Sequence, residues 1–364
     1  MAAISPHSSG DTSLASSSEQ APVQERAPAL QARVVPWGPA LQLNNNDIYP
    51  ILEQKWKRTL DLGSSFQAGS SPKRLRTEDI DTAQVPLPPC VNFVPVGVVG
   101  GMGPEATLDL TQKLFKTAKE VGDPKSDQDH MQVITMNIPN LIKDRTAYLN
   151  SFTGDRNNAD EWRAHLLKND PNNPYHGSLA VAQACVAAGA HFLIFPCNTF
   201  HAYHGVLSEK LKVPLLHIAE ATMWALRKQN LDPDKSVGLL ATSGTIDSKL
   251  YQTTATRMEQ YGCPRIKWAL PSAASQKDNV MAGIYEGVKF GDMEKGTRLL
   301  DQAVQELGKE HKLSAVVEGC TEIPLALKDK DYGNIKLIDP TQALAEMAVE
   351  FSRNLARLET KFAR

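Results

Sequence analysis

FLIFPCNTFH (192–201) and AVVEGCTEIP (315–324) decide how this chain is read. Each starts as a short apolar run of strand character. Each then turns and sets a cysteine, followed by short polar side chains, at the end of that run. Two more pairs of segments flank them in the same order. VGVVGGMGPEAT (96–107) resembles VGLLATSGTIDS (237–248), and VPLLHIAEAT (213–222) resembles IKLIDPTQAL (335–344). The step from cysteine to third strand is also preserved, from 197 to 215 in one half and from 320 to 337 in the other. Other apolar runs, MQVITMN (131–137) and IKWAL (266–270), read as further strands, and helical stretches separate them. Short buried strands alternating with helices indicate parallel sheets covered on both faces.

The fold expected is therefore α/β, with two similar doubly wound parallel-sheet lobes facing across a cleft. Residues 94–225 with 345–364 are expected to form the first lobe, and 226–344 the second. Residues 1–88, rich in Ser, Pro, Gln and Ala, read as a disordered extension. Within it, 47–60 reads as a short amphipathic helix. The basic cluster at 71–79 reads as a solvated linker in preference to a nuclear-import signal.

Ligands of such sheets bind beyond the carboxyl ends of strands, where Cys197 and Cys320 both sit. A thiol at the start of a helix is expected to feel the positive end of its dipole. The plainer reading, a small core hydrophobe, is kept for Cys185 and Cys263, with Cys90 in the linker. Two facing thiols suit proton abstraction at carbon, one as thiolate base and one as thiol acid. Charge building on a substrate carboxylate then needs stabilising. Backbone N–H groups at Gly101, Met102 and Gly103, and from Ser243 to Thr245, are candidates, with the hydroxyls of Thr199, Thr245 and Thr321. Asn198 and Glu322 complete the polar set beside the thiols.

Gly101-Met102-Gly103 also matches a loose dinucleotide fingerprint. The next strand ends at Asn137 rather than at a ribose-binding acid, so a tight turn is expected, with Pro104 opening a helix. Arg145 can take a carboxylate bidentately, and Lys289 is a second cation. Against these stands the default of ordinary surface charge. His201 and His204 read as a helix-surface pair rather than metal ligands.

The whole chain has 364 residues, 41% of them hydrophobic, and a net charge of −2. That balance argues against nucleic acid as the ligand. No apolar run approaches the ~18 residues of a membrane span, and no secretory signal is read at the N-terminus. Five cysteines without a CxxC point to reduced thiols inside the cell, in cytoplasm or organelle, rather than a disulfide framework. A closed homo-oligomer is expected.

Taken together, GGMGPEAT (100–107), DRTAY (144–148), PCNT (196–199), LLATSGTI (239–246), GIYEGVK (283–289), GCTEIPL (319–325) and LIDP (337–340) resemble the aspartate/glutamate racemase superfamily. The resemblance spans roughly residues 95 to 355. It implies Cys197 and Cys320 as the catalytic pair, with neither pyridoxal phosphate nor metal as cofactor. It also places Arg145 and Lys289 where aspartate racemases hold the substrate carboxylate. Within this superfamily the chain looks most like the Alma-type algal dimethylsulfoniopropionate lyases. Those remove the α-proton of a carboxylate bearing a β-dimethylsulfonium group and release dimethyl sulfide and acrylate.

Three features lean that way: the long extension, FHAYHG after PCNT, and an enlarged loop at 153–177. The last two bring Trp162, Tyr175, Phe200 and Tyr203 near the site, where ring faces can hold a sulfonium. Retention of both Arg145 and Lys289 speaks instead for a dicarboxylic amino acid. The expected substrate is thus a small carboxylate, and the expected activity a lyase, with aspartate or glutamate racemase as the alternative. A silent binding protein of the same fold is the third reading.

Overall fold

The structure, a computed structural model, describes residues 92–362, with side chains up to Leu358. The expectations for 1–88, for the segments at 47–60 and 71–79, and for Cys90 lie outside the described residues.

Strands β1 (Val96–Gly100), β2 (Val133–Asn137) and β3 (Phe192–Ile194) form a parallel sheet in the order β2-β1-β3. Leu215 adds one further parallel bridge to Leu193. Strands β4 (Ser236–Ala241), β5 (Trp268–Ala269), β6 (Leu313–Gly319) and β7 (Lys336–Ile338) form the second parallel sheet, in the order β5-β4-β6-β7. The sequence repeat is therefore a repeat of topology. β1 corresponds to β4, β3 to β6, and the bridge at Leu215 to β7.

Among the described residues, six of the helices cover the sheets: α1 (Pro104–Gly122), α2 (Pro174–Ala187), α3 (Ile218–Arg227), α4 (Leu250–Met258), α5 (Met293–Glu310) and α6 (Pro340–Phe362). Successive strand residues point to opposite faces, and both faces are buried. Val96 and Val98 pack with Leu110 and Leu114 of α1 and with Leu344 and Phe351 of α6, whereas Val99 packs with Val181 and Cys185 of α2. In the second sheet Val317 packs with Met223 of α3 and Met258 of α4, and Val316 with Leu300 and Val304 of α5. α3 contributes to the cores of both sheets, and α6 lies against α1 and α3. No helix among the described residues is long and apolar enough to cross a membrane.

Local chemistry sets the element ends. Pro104 opens α1, as expected, and Asp292 caps α5 by accepting the Lys295 amide at 2.9 Å. The run 213–218 is not a strand. Pro214 has no N–H to pair, and His217 instead caps α3, its Nδ1 accepting from the Ala219 and Glu220 amides. The segment 153–177 is not a plain loop either. It holds a nine-residue helix, Ala159–Leu167, capped by Asn158, and runs into the first residues of α2. The run 266–270 contributes only the two residues of β5.

Glu318, on β6, is buried beside a charged cluster that ties α1 to the end of β7. Lys113 lies 2.5 Å from Asp109 and 2.6 Å from Asp339. Burial, and then the Asp339 charge, push the Glu318 carboxyl from 4.5 up to about 8. A raised carboxyl contributes stability that is complete below 4.5 and is lost as pH rises through about 8. Glu318→Gln is therefore expected to melt like wild type at pH 5 and higher at alkaline pH. The difference should grow by about 1.4 kcal/mol per pH unit across that window. Equal melting at both ends would refute this assignment.

Candidate active site

Both cysteines sit, as expected, just past the carboxyl ends of strands, Cys197 after β3 and Cys320 after β6, and both are buried. Their turns touch. Thr321 Oγ1 lies 3.4 Å from the carbonyl oxygen of Pro196, the residue before Cys197. The turn after β4 meets the turn after β3 through hydroxyls: Thr199 Oγ1 lies 2.8 Å from Thr242 Oγ1 and 2.9 Å from Thr245 Oγ1. Gly244 allows this approach, since a Cβ there would stand 3.0 Å from Thr199 Cγ2 and 3.1 Å from the Thr146 backbone. After β1, Gly101 turns the chain at φ +103°, and a Cβ on Gly103 would stand 3.4 Å from Glu322 Oε1.

Two cations flank the thiols. Arg145 is buried at the start of the helix Arg145–Asn150, which Asp144 caps through the Ala147 amide. Its Nη2 donates to Met102 O at 2.8 Å and its Nη1 to Lys143 O at 3.3 Å, while Nε is buried with no partner. Burial opposes the charge, and the neighbouring Cys197 sulfur, Asp144 and Glu322 outweigh it, so the Arg145 pKa is raised. Lys289 lies 3.5 Å from Glu322 Oε1 and 4.7 Å over the Tyr285 ring. Burial works against its charge too, and Glu322 and Cys320 more than offset that.

Glu322 Oε2 accepts from Cys320 Sγ at 3.0 Å and from Thr321 Oγ1 at 3.1 Å. Burial, then the Glu322 charge, push the Cys320 thiol well above its ordinary range. Cys320 is therefore a thiol at rest, with its proton aimed at a carboxylate. Burial raises Cys185 to about 11 and Cys263 to about 12, in keeping with core thiols.

Helical segments follow both cysteines, as the sequence suggested, but they are short. After Cys197 the tight turn Thr199–Tyr203 runs straight into the short helix His204–Ser208, and the five-residue Ile323–Leu327 follows Cys320. The backbone donors proposed for the carboxylate are also partly engaged. Gly101 N–H donates to Thr107 Oγ1, Ser243 N–H faces Met281 Sδ, and Thr245 N–H stays within its own turn. His201 is not on a helix surface. It is buried, burial pushes it down to about 3, and its ring nitrogens bond Cys197 O and the Ile218 amide. It thus braces the cysteine turn.

The four aromatic residues have ring neighbours: Phe200 and Tyr203 at 5.1 Å, Tyr175 and Tyr203 at 6.4 Å, Trp162 and Phe152 at 5.2 Å. Arg156 lies over Trp162 at 5.2 Å. Sequence reading passed over Thr242, Tyr251 and Tyr285. The Thr-rich turn ATSGT (241–245) was a usable signal for Thr242, whereas Tyr251 and Tyr285 resemble core residues of helices.

Residues 99–348 match the Asp/Glu/Hydantoin racemase family. The chain is 25% identical over 262 residues to the broad specificity amino-acid racemase RacX of Bacillus subtilis, covering 70% of this chain and 96% of that protein. It is 28% identical over 176 residues to the glutamate racemase of Carboxydothermus hydrogenoformans, covering 46% of this chain and 58% of the other. Among solved structures, the aspartate racemase of Picrophilus torridus aligns with a TM-score of 0.52 at 25% identity, over 73% of this chain and 98% of that one. With the two cysteine turns in contact at the ends of matching strands, and the family match spanning both, the chain belongs to the Asp/Glu/Hydantoin racemase family.

Proposed function

We propose that the protein racemises an acidic amino acid, aspartate or glutamate, one of Cys197 and Cys320 taking the α-proton and the other returning a proton to the opposite face, without a cofactor. The observation that carries this reading is the pair of buried cations beside the two thiols. Arg145 has no protein carboxylate at bonding distance among the described residues, so a substrate carboxylate completes it. Lys289 is available to a second carboxylate from its place against Glu322. Two cations beside the thiols match the two carboxylates of an acidic amino acid. An amino acid with a single carboxylate would leave one of them without a substrate partner. The names of two relatives, a glutamate racemase and an aspartate racemase, point to the same substrate class.

Cys197, beside the Arg145 charge, acts as the base in its thiolate form and takes the α-proton. The electron pair left on carbon spreads onto the carboxylate oxygens, where the Arg145 charge stabilises it. Cys320 delivers its proton to the opposite face and becomes the thiolate. The reverse reaction exchanges the two roles. Glu322 holds the Cys320 proton in place between turnovers.

Dimethylsulfoniopropionate lyase activity is the second reading. It shares the first step, and Glu322 is the observation that favours it, as a carboxylate able to face a sulfonium. The two separate in one experiment. Purified protein receives L-aspartate or L-glutamate in heavy water and, separately, dimethylsulfoniopropionate with headspace detection. Solvent deuterium at the α-carbon without dimethyl sulfide is the expected result. Dimethyl sulfide release without exchange into either amino acid would replace racemase by lyase.

A further inference from the structure

We infer that Tyr251 is a positioning residue whose hydroxyl turns the Asn198 side-chain amide so that its NH2 group faces the substrate carboxylate. The inference rests on the reading of the site given above. Asn198 follows Cys197 and is 2% exposed. Its Oδ1 accepts from the Tyr251 hydroxyl at 2.5 Å, and its Nδ2 is buried with no partner. A side-chain amide has an acceptor at one end and two donors at the other. Once the phenol holds the oxygen, the donors must point away from it. A buried amide NH2 without an acceptor is costly, and a carboxylate bound beside Cys197 supplies one.

Tyr251 is suited to hold this orientation. It lies on α4, packed in the core of the second sheet, whereas Asn198 belongs to the turn after β3 of the first. The Tyr251 ring is fully buried, 5.8 Å from Trp268, so the hydroxyl has little freedom to move. Burial also pushes its pKa up, and it remains a donor throughout the neutral range. With the hydroxyl removed, the amide can rotate by half a turn and present its oxygen to the carboxylate, which repels it.

Tyr251→Phe removes the hydroxyl and keeps the ring. We expect kcat/KM for the acidic amino acid to fall by about tenfold or more, mainly through KM. One well-aimed hydrogen bond to a charged group has that worth. Asn198→Ala should cost a similar factor, and the double variant no more than the larger single effect, since both act through one amide. A Tyr251→Phe enzyme within twofold of wild type, or effects that multiply in the double variant, would overturn the proposal.

An independent reading needs no substrate. In protein labelled with nitrogen-15 at asparagine, the Asn198 NH2 pair is identified by its loss in Asn198→Ala. It should be single in wild type and shifted or doubled in Tyr251→Phe, and an unchanged pair would again overturn the proposal. Wild type that exchanges no α-proton would sink the functional reading alone and leave this test standing.

Discussion

Cys197→Ser and Cys320→Ser are each expected to lower α-proton exchange by about 10²–10⁴-fold, the usual contribution of a positioned acid or base. Serine nearly preserves the size of the side chain, and a hydroxyl at residue 320 can still donate to Glu322, which now bonds the thiol at 3.0 Å. Melting should therefore stay close to wild type while the rate collapses. The hydroxyl fails because it is a far weaker acid than a thiol, and neither form of the reaction can use it as a base. Exchange within tenfold of wild type in either variant would remove that cysteine from the proton path. Melting curves recorded alongside the rates distinguish lost chemistry from lost fold.

Arg145→Leu carries the second large effect. Arg145 is buried, its bonded partners are the carbonyls of Met102 and Lys143, and its Nε is unpartnered. Removing one side of a desolvated charge pair costs about 2–5 kcal/mol. That corresponds to kcat/KM falling by roughly 30-fold to several-thousand-fold. Arg145→Lys should recover little of the loss, because an ammonium keeps the charge and lacks the planar fork that grips a carboxylate at two points. Steady-state kinetics on both variants test this. Full activity in Arg145→Lys would show that charge alone, not guanidinium geometry, holds the substrate.

The two sheets were legible because their strands are apolar runs whose ends carry the motifs, so the repeat between 96–222 and 237–344 survives in sequence. What was lost lies where one residue overrides a pattern. Pro214 and the capping His217 turn an apolar run into a single bridge and a helix start. Asn158 and Pro174 organise a polar stretch that shows little periodicity. The two cysteines and both cations were legible at the site, but not the acid–base state of Cys320. That state depends on Glu322, two residues along, bending back to accept the thiol proton. No spacing rule announces such a bond. The Thr107 hydroxyl that occupies Gly101 N–H, and the Tyr251 hydroxyl that reaches Asn198 from the other sheet, are equally invisible before folding.

Transfer between two thiols on opposite faces of one carbon is the central claim, and the isotope pattern at early times tests it most directly. A single enantiomer of aspartate or glutamate is incubated in heavy water. Product and recovered substrate are then separated and read for α-deuterium while conversion is still low. Two thiols predict deuterium in the newly formed enantiomer and almost none in the recovered one, because the proton removed by one cysteine is not the one returned by the other. Deuterium appearing equally fast in recovered substrate would mean that one group both removes and returns the proton, and would contradict the account.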